Sequence, residues 1–264
     1  MQMQMQIILP ELELHKIENE FYNKPHSHDS QYQITVPVKG SCDFNYENRD
    51  MALGAGEGLI LSPADRHSFH MGSDSSIIIV IAKDDRIGRA FESTPAKLRP
   101  FDPADMLGYF HRWASNILAL EHMDPLAVQE TQSLALEDLQ GMLAAGGHRR
   151  EEPAALADRL SDRNALQVLE YIRAHYTEQL DIDQLASIAL QSRYHFIRSF
   201  KLAVGVTPYQ YVLQLRVEEA KRQLRMSEHT VTDISYNVGF SSPSQFYRVF
   251  MKFAGVTPEG YRGM

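Results

Sequence analysis

The chain has 264 residues, of which 44% are hydrophobic and 23% are charged, and its formal net charge at pH 7 is −8. This composition is typical of folded globular proteins and excludes wholesale disorder, and the length suffices for about two domains of roughly 150 residues each. The net negative charge argues against nucleic-acid binding over the whole surface, and a single cysteine excludes an internal disulfide and a cysteine-rich zinc site.

The first residues, MQMQMQIILPELEL, contain neither a basic segment nor a long apolar stretch, and therefore do not predict a signal peptide. The longest apolar run, residues 77–82, is far shorter than the roughly 18–20 residues that cross a bilayer. Together with the single cysteine, these features predict a protein of the reducing cytoplasm without contact to a membrane.

Residues 1–82 predict short β-strands, because apolar and polar residues alternate with period two. The alternating apolar positions are Met1, Met3, Met5, Ile7, Leu9, Tyr32, Ile34, Val36, Val38, Cys42, Phe44 and Tyr46. Turn residues such as Lys39-Gly40 and Gly54-Ala55-Gly56 separate these runs. Many short strands at roughly 8–12-residue spacing indicate an all-β sandwich or barrel.

From Pro103 to about Ala145 the apolar period becomes helical. One stripe is formed by Leu107, Phe110, Ala114, Ile117 and Leu118, and a second by Leu126, Leu134, Leu139, Met142 and Leu143. Two interpretations of these helices remain open: they cover the barrel, or they pair with a second subunit. The charged, glycine-rich stretch 146–153 predicts a linker.

Charge is distributed unevenly along the chain. From Asn164 onward, 11 Lys and Arg residues stand against 9 Asp and Glu, a net charge of +2, so the preceding part carries −10. Because phosphate attraction is local on the scale of the roughly 8 Å Debye length, only the C-terminal part is suited to approach a polyanion.

The C-terminal part also contains an internal repeat. A shift of 50 residues aligns two copies of the pattern F-x-R-x-F-x-x-x-x-G-V-T-P-x-x-Y, which begin at Phe196 and Phe246. Within each copy the two phenylalanines are four residues apart and share one helix face, so the arginine between them, Arg198 or Arg248, faces outward. This many identities at one shift predict two copies of one structural unit.

Cap signals define the helices of each copy. Ser192 and Ser242 are predicted N-caps, Pro243 fits the first helical position, and Gly205 and Gly255 suit the left-handed residue that ends such a helix. A shorter helix precedes each copy, at residues 181–189 and 230–238, so each pair predicts a helix-turn-helix. The predicted helix 208–225 between them is roughly 27 Å long, which suits two recognition helices in major grooves about 34 Å apart.

Residues 164–263 resemble the AraC/XylS family of bacterial transcription regulators. The specific parts are Arg216-x-x-x-Ala220, I-x-x-x-x-G-F-S-S-P-S-Q-F-x-R-x-F from Ile234 to Phe250, and G-V-T-P-x-x-Y-R from Gly255 to Arg262. The resemblance implies DNA contacts by Arg193, Tyr194, Ile197 and Arg198 of the first recognition helix and by Pro243, Ser244, Gln245 and Arg248 of the second. It also implies promoter DNA, RNA polymerase and a second copy of the chain as partners, and activation more often than repression.

Two departures from the family pattern affect these contacts. Ile197 replaces the polar residues common at its position, so it suits an apolar contact with a thymine methyl group. Met251 stands where the family often has lysine, so a phosphate contact is missing there.

Three histidines of the N-terminal part are similar to the cupin pattern, a small β-barrel whose metal site has two His at i and i+2, a Glu some four residues on, and a later His. His26 and His28 have the i, i+2 spacing and His67 is the later histidine, whereas Gln31 and Tyr32 stand near the place of the missing Glu. Regulators with such a domain resemble metal-free ligand sensors, so we expect no cofactor and an effector pocket. Its expected lining residues are His26, His28, Gln31, His67 and Phe69.

The alternative for this cluster is a metal site, because three neutral imidazoles can hold zinc or iron(II). Arg66 has two interpretations as well: it engages an anionic effector, or it is a solvated loop residue.

The sequence therefore predicts a two-domain protein, with an all-β cupin-like barrel followed by helices and an all-α domain with two helix-turn-helix motifs joined by a long linker helix. The predicted parts are a sensor barrel (1–100), a helical dimerisation segment (101–147), a linker (148–163) and a DNA-binding domain (164–264). The expected function is an effector-responsive transcription regulator without enzymatic activity. The alternative is a metal-dependent cupin enzyme with a helical appendage, against which the missing carboxylate counts.

Overall fold

The structure, a computed structural model, describes residues 3–83, 98–120, 124–143 and 162–264. These residues form two compact units: 3–83, 98–118 and 134–143 in the first, and 119–120, 124–133 and 162–264 in the second. The predicted helical segment 101–147 is thus divided between the two units. The predicted linker 148–163 lies outside the described residues up to position 161.

The first unit is built from two antiparallel sheets. Its described strands are β1 (Met3–Ile8), β2 (Leu12–Glu18), β3 (Phe21–Tyr22), β4 (Tyr32–Lys39), β5 (Ser41–Tyr46), β6 (Arg49–Gly54), β7 (Glu57–Leu61), β8 (His67–Met71), β9 (Ser76–Ala82) and β10 (Leu98–Pro100). The larger sheet has the order β1-β2-β9-β4-β7-β10 and the smaller one β3-β8-β5-β6. The β-rich N-terminal domain predicted from period-two alternation is thereby confirmed.

One apolar core lies between these sheets. It contains Ile77, Ile79 and Ile81 of the larger sheet together with Phe44 and Phe69 of the smaller one. Because side chains alternate along a strand, residues paired with these isoleucines on neighbouring strands face the same core. The strand register therefore decides which polar residues point inward.

Helix α1 (Pro103–Leu118) covers the outer face of the larger sheet, where it packs against β4 and β9. Its buried residues are Met106, Phe110, Trp113, Ala114 and Ile117. Leu118 is 64% exposed, so its assignment to the apolar stripe is wrong: Met106 and Trp113 take the positions that face the sheet. In helix α2 (Pro125–Leu143), Asp138 accepts hydrogen bonds from Arg112 (2.7 Å) and the Trp113 indole (3.0 Å).

The second unit is helical. It contains α3 (Asp162–His175), α4 (Ile182–Ile188), α5 (Arg193–Val204), α6 (Pro208–Met226), α7 (Val231–Asn237), α8 (Pro243–Ala254) and α9 (Pro258–Arg262). The helix boundaries follow the predicted caps. Ser192 and Ser242 cap α5 and α8, and Gly205 and Gly255 end them in the left-handed conformation with φ of 85° and 75°.

A buried arginine joins the helices of this unit. The Arg216 side chain on α6 donates to the backbone oxygens of Tyr176 (2.7 Å) and Glu178 (3.0 Å) and to the carboxylate of Asp124 (3.4 Å). Only 4% of Arg216 is exposed. A buried guanidinium is tolerated because each of these oxygens compensates part of its lost hydration.

We expect the substitution Arg216→Ala to lower the free energy of unfolding by about 3–5 kcal/mol, since it leaves buried acceptors without their donor. Arg222→Ala is the matched control, because Arg222 lies on the same helix and its side chain is 59% exposed. Urea unfolding followed by circular dichroism measures both. Equal effects of the two substitutions would contradict the structural role of Arg216.

The turn between α7 and α8 requires glycine. Gly239 has a φ of 94°, and a Cβ there would lie 2.5 Å from the backbone oxygen of Thr177. The turn between α4 and α5 is one residue shorter and has Leu190 in the left-handed conformation, with a φ of 56°. An exposed leucine at that φ is strained but free of clashes.

We predict that Gly239→Ala lowers the free energy of unfolding by more than about 2 kcal/mol, because strain and a backbone clash add. Gly205→Ala introduces the strain alone, since no atom lies within 4 Å of the position that its methyl group would take, and should cost about 1 kcal/mol. Thermal unfolding of both variants tests this. A loss at Gly239 no larger than that at Gly205 would refute the clash.

Candidate nucleic-acid interface and effector site

The outward face of α8 is defined by the burial of its opposite face. Phe246 and Phe250 are fully buried and pack against each other with ring centroids 5.4 Å apart. Arg248, between them in sequence, is exposed, as predicted. Exposed residues on the same side are Ser244, Met251 and Lys252.

Helix α5 repeats this construction. Phe196 and Phe200 are fully buried with ring centroids 5.5 Å apart, and Arg198 is half-buried on the opposite side. The exposed residues next to it are Lys201 and Leu202. The two recognition helices therefore present an arginine at the same position of the repeat.

Three of the residues expected to face DNA lie in the interior instead. Tyr194 is 5% exposed, Ile197 is 1% exposed and Gln245 is 3% exposed. Ile197 lies beside the buried phenylalanines on the helix wheel and belongs to the core side of α5, whereas Tyr194 precedes Arg198 by one helical turn and is buried on that side of the helix. Gln245 accepts hydrogen bonds from the backbone nitrogen (3.3 Å) and hydroxyl (3.0 Å) of Ser241, and so fixes the turn before α8.

The remaining expected contacts lie at the starts of the two helices. Arg193 forms a two-pronged ion pair with Asp183, with nitrogen–oxygen distances of 3.0 and 3.1 Å. Pro243 occupies the first turn of α8 and is half-buried, and Ser244 follows it at the surface. The Arg193 side chain is 17% exposed and that of Asp183 is 58% exposed, so the pair lies at the edge of the surface.

Sequence reasoning missed Lys201 and Lys252 because it followed only the positions that repeat. Both lysines are exposed and adjoin the outward face of their helix, one in each copy, at positions that do not match under the 50-residue shift. Their ammonium groups suit phosphate oxygens, whereas the guanidinium groups suit the O6 and N7 acceptors of guanine.

In the first unit, the expected effector-pocket residues His26, His28 and His67 meet at one end of the core. One ring nitrogen of each lies within 4.8 Å of those of the other two. The ring centroids are 4.3–5.4 Å apart. We call these three residues the histidine cluster. Backbone hydrogen bonds of 2.8 and 2.9 Å between His26 and His67 hold two of its members together.

The other two expected pocket residues have different surroundings. Gln31 is half-buried and donates to the carboxylate of Glu13 (3.2 Å). Phe69 is 4% exposed and stacks between Phe21 and Phe44 in the core. Phe69 thus supports the floor of the site from within the core, and Gln31 belongs to its polar rim. Arg66 is exposed, which fits its interpretation as a solvated loop residue.

Four inward-facing polar residues extend the site and were missed in the sequence. Glu13 and Gln33 both pair with Ile81, and His15 and Thr35 both pair with Ile79, so all four share the core face of the larger sheet. The sequence signal that could have revealed them is the occurrence of polar residues within strands that are apolar on both faces. We call the histidine cluster with these four residues the polar end of the first unit.

Burial keeps His67 neutral. Its burial lowers the pKa of the imidazole to about 4. Nδ1 lies 3.0 Å from the backbone oxygen of Asp65, whereas the buried Nε2 has no hydrogen-bond partner in the described structure. An unsatisfied buried polar atom costs about 1–3 kcal/mol, which makes Nε2 a place where a ligand gains free energy.

A separate cavity of about 580 Å³ lies on the outward face of the smaller sheet. Its lining combines polar side chains, among them Asp43, Asn45 and His70, with apolar ones, which include Phe69, and it does not contain the histidine cluster. The polar end and this open cavity are therefore different surfaces of the first unit.

Comparison with known proteins identifies both units. The family model of the AraC-like ligand-binding domain matches residues 12–162, and that of a helix-turn-helix domain matches residues 185–264. Within the described residues, no helix is both long and apolar enough to span a membrane.

Two relatives from Bacillus subtilis have similar length. The HTH-type transcriptional regulator YdeC is 26% identical over 90% of this chain and 86% of its own. YobQ, also an HTH-type transcriptional regulator, is 28% identical over 90% of this chain and 88% of its own. A crystal structure of a regulator with an AraC-type DNA-binding domain from Chromobacterium violaceum is 27% identical over 39% of this chain and 92% of that one, with a TM-score of 0.37.

These matches decide against the metal-dependent enzyme considered above, because both halves of the chain match regulator domains. The chain belongs to the AraC family of transcriptional regulators, with an AraC-like ligand-binding domain ahead of a DNA-binding helix-turn-helix domain.

Proposed function

We propose that this regulator reads promoter DNA with two helix-turn-helix motifs, α4–α5 and α7–α8, and that a small molecule bound in the N-terminal domain controls this binding. The observation that carries the proposal is the pair of matched arginines, Arg198 and Arg248. Each lies opposite two buried phenylalanines on a helix of the same construction.

In this proposal α5 and α8 each enter a major groove. Arg198 and Arg248 donate to guanine O6 and N7, which gives sequence preference. Ser244, Lys201, Lys252 and Arg193 contact phosphates and set the position of the helices along the duplex. The chain from Asn164 onward has a net charge of +2, which favours its approach to DNA although the net charge of the whole chain is −8.

The length of helix α6 suits recognition helices that lie in two successive major grooves. Its 19 residues correspond to about 28 Å, close to the roughly 34 Å between major grooves on one face of a duplex. Its continuous stripe of Val212, Leu213, Val217, Ala220 and Leu224 is buried, so the helix packs against its unit along its length. One chain can therefore read two adjacent grooves.

For the sensor, we propose that the effector binds at the polar end, where buried hydrogen-bond acceptors are available. The effector binds the conformation that is competent for DNA binding more tightly than the other conformation, and so shifts the equilibrium toward it. Activation of transcription through contact with RNA polymerase, and a homodimer, are parts of the same proposal. Because α1 buries its apolar stripe on its own sheet, the dimer contact must use other surfaces of the first unit.

We predict that Arg198→Ala and Arg248→Ala each weaken binding to a cognate promoter fragment by about 5- to 150-fold, equivalent to the 1–3 kcal/mol of one guanine contact. Fluorescence anisotropy at fixed salt measures this. Arg222→Ala, on the exposed side of α6, should bind as tightly as wild type. Wild-type affinity of either test variant, with unchanged circular dichroism, would remove that arginine from the interface.

We also predict a footprint of two protected major-groove segments about 10 base pairs apart on one face of the promoter. Hydroxyl-radical cleavage in the presence and absence of metabolites, chosen by thermal-shift screening of the full chain, measures it. Protection of a single segment would show that only one motif binds, and protection unaffected by any stabilising metabolite would contradict the sensor role.

A further inference from the structure

The histidine cluster is oriented by hydrogen bonds to its outer nitrogens. His26 Nδ1 lies 3.0 Å from the backbone oxygen of Lys24, His28 Nε2 lies 3.0 Å from Gln33 Oε1, and His67 Nδ1 lies 3.0 Å from the backbone oxygen of Asp65. A carbonyl oxygen only accepts, so each of these ring nitrogens donates. A neutral imidazole then carries its lone pair on the other nitrogen.

For His28 the assignment follows from the orientation of the Gln33 side chain. Gln33 Nε2 donates to the hydroxyl of Thr35 (3.0 Å), which directs its Oε1 toward the imidazole. Each ring therefore keeps one lone pair, and one ring nitrogen of each histidine lies within 4.8 Å of those of the other two. The lone pair on His67 Nε2 is buried with no partner among the described residues. Carbonyl groups that fix imidazole rings in this way are typical of the outer shell of metal sites.

We propose that the histidine cluster binds one divalent transition-metal ion through three imidazole nitrogens, and that this ion is the docking point for an anionic effector. The inference rests on the sensor role proposed above for the N-terminal domain.

The chemistry of the donors selects the ion class. Imidazole nitrogen suits Zn²⁺, Cu²⁺, Fe²⁺ and Ni²⁺, whereas Mg²⁺ and Ca²⁺ prefer oxygen. The one thiol of the chain, Cys42, is buried in the apolar core and is not part of the cluster.

The charge of the donors selects the effector class. The cluster brings no carboxylate, and Gln31, near the place of the missing Glu, is engaged with Glu13. Three neutral ligands leave the ion its double positive charge and leave coordination positions unfilled. An anion with an oxygen or nitrogen donor atom compensates part of this charge and fills one of these positions.

The test is a titration of the full-length, untagged protein, freed of metal by a chelator, with Co²⁺ as a spectroscopic probe and Zn²⁺ in calorimetry. We expect one ion per chain and a visible Co²⁺ spectrum of nitrogen ligation. His26→Ala and His28→Ala should weaken binding at least about 100-fold, and Gln33→Leu about 10- to 100-fold because it frees the His28 ring. His70→Ala is the control, because His70 is an exposed histidine of the same strand as His67.

A Kd unchanged in both His26→Ala and His28→Ala, or equal losses in His70→Ala, would overturn the site. Addition of azide to the Co²⁺ form tests the open position: a shifted visible spectrum supports anion docking, and an unchanged spectrum refutes it. Promoter binding of the same samples is measured by anisotropy in parallel. Absence of metal binding in the wild-type protein, with intact promoter binding, refutes this inference alone, whereas absent promoter binding by the wild type refutes the proposed function.

Discussion

The burial of two phenylalanines four residues apart decides what each recognition helix shows to its surroundings. Once Phe196 and Phe200 enter the core of the C-terminal unit, the residue midway between them has to face the opposite side. The same holds for Phe246 and Phe250. The packing of the phenylalanines thus stabilises the helix pair and also directs the guanidinium group away from the core.

The same reasoning explains how much the sequence could predict. Strong local signals determined the helical unit: the caps at Ser192 and Ser242, the left-handed glycines and the apolar stripe of α6 lie where the pattern placed them. The motif alone predicted exposed side chains for Tyr194, Ile197 and Gln245, which are buried. A family pattern marks positions along a helix, whereas the burial of each side chain depends on which other helices pack against it.

In the N-terminal unit the limits were different. Period-two alternation predicted strands, and the similarity to the cupin pattern grouped the three histidines. Alternation cannot decide which face of a strand is inward when both faces are buried. Only the register with β9 shows that Gln33 and Thr35 face the core while Ile34 and Val36 face the other side. The polar end thus depends on long-range strand pairing, which local sequence does not encode.

The two helix pairs are alike in construction but not in the residues they expose. Lys201 stands where the second copy has Met251, and Leu202 stands where it has Lys252. Under the proposed function, two helices with unlike surfaces would prefer unlike DNA segments, so the combined target would have a direction rather than a two-fold axis. A single C-terminal unit would then bind its promoter in one orientation and not in the reverse one.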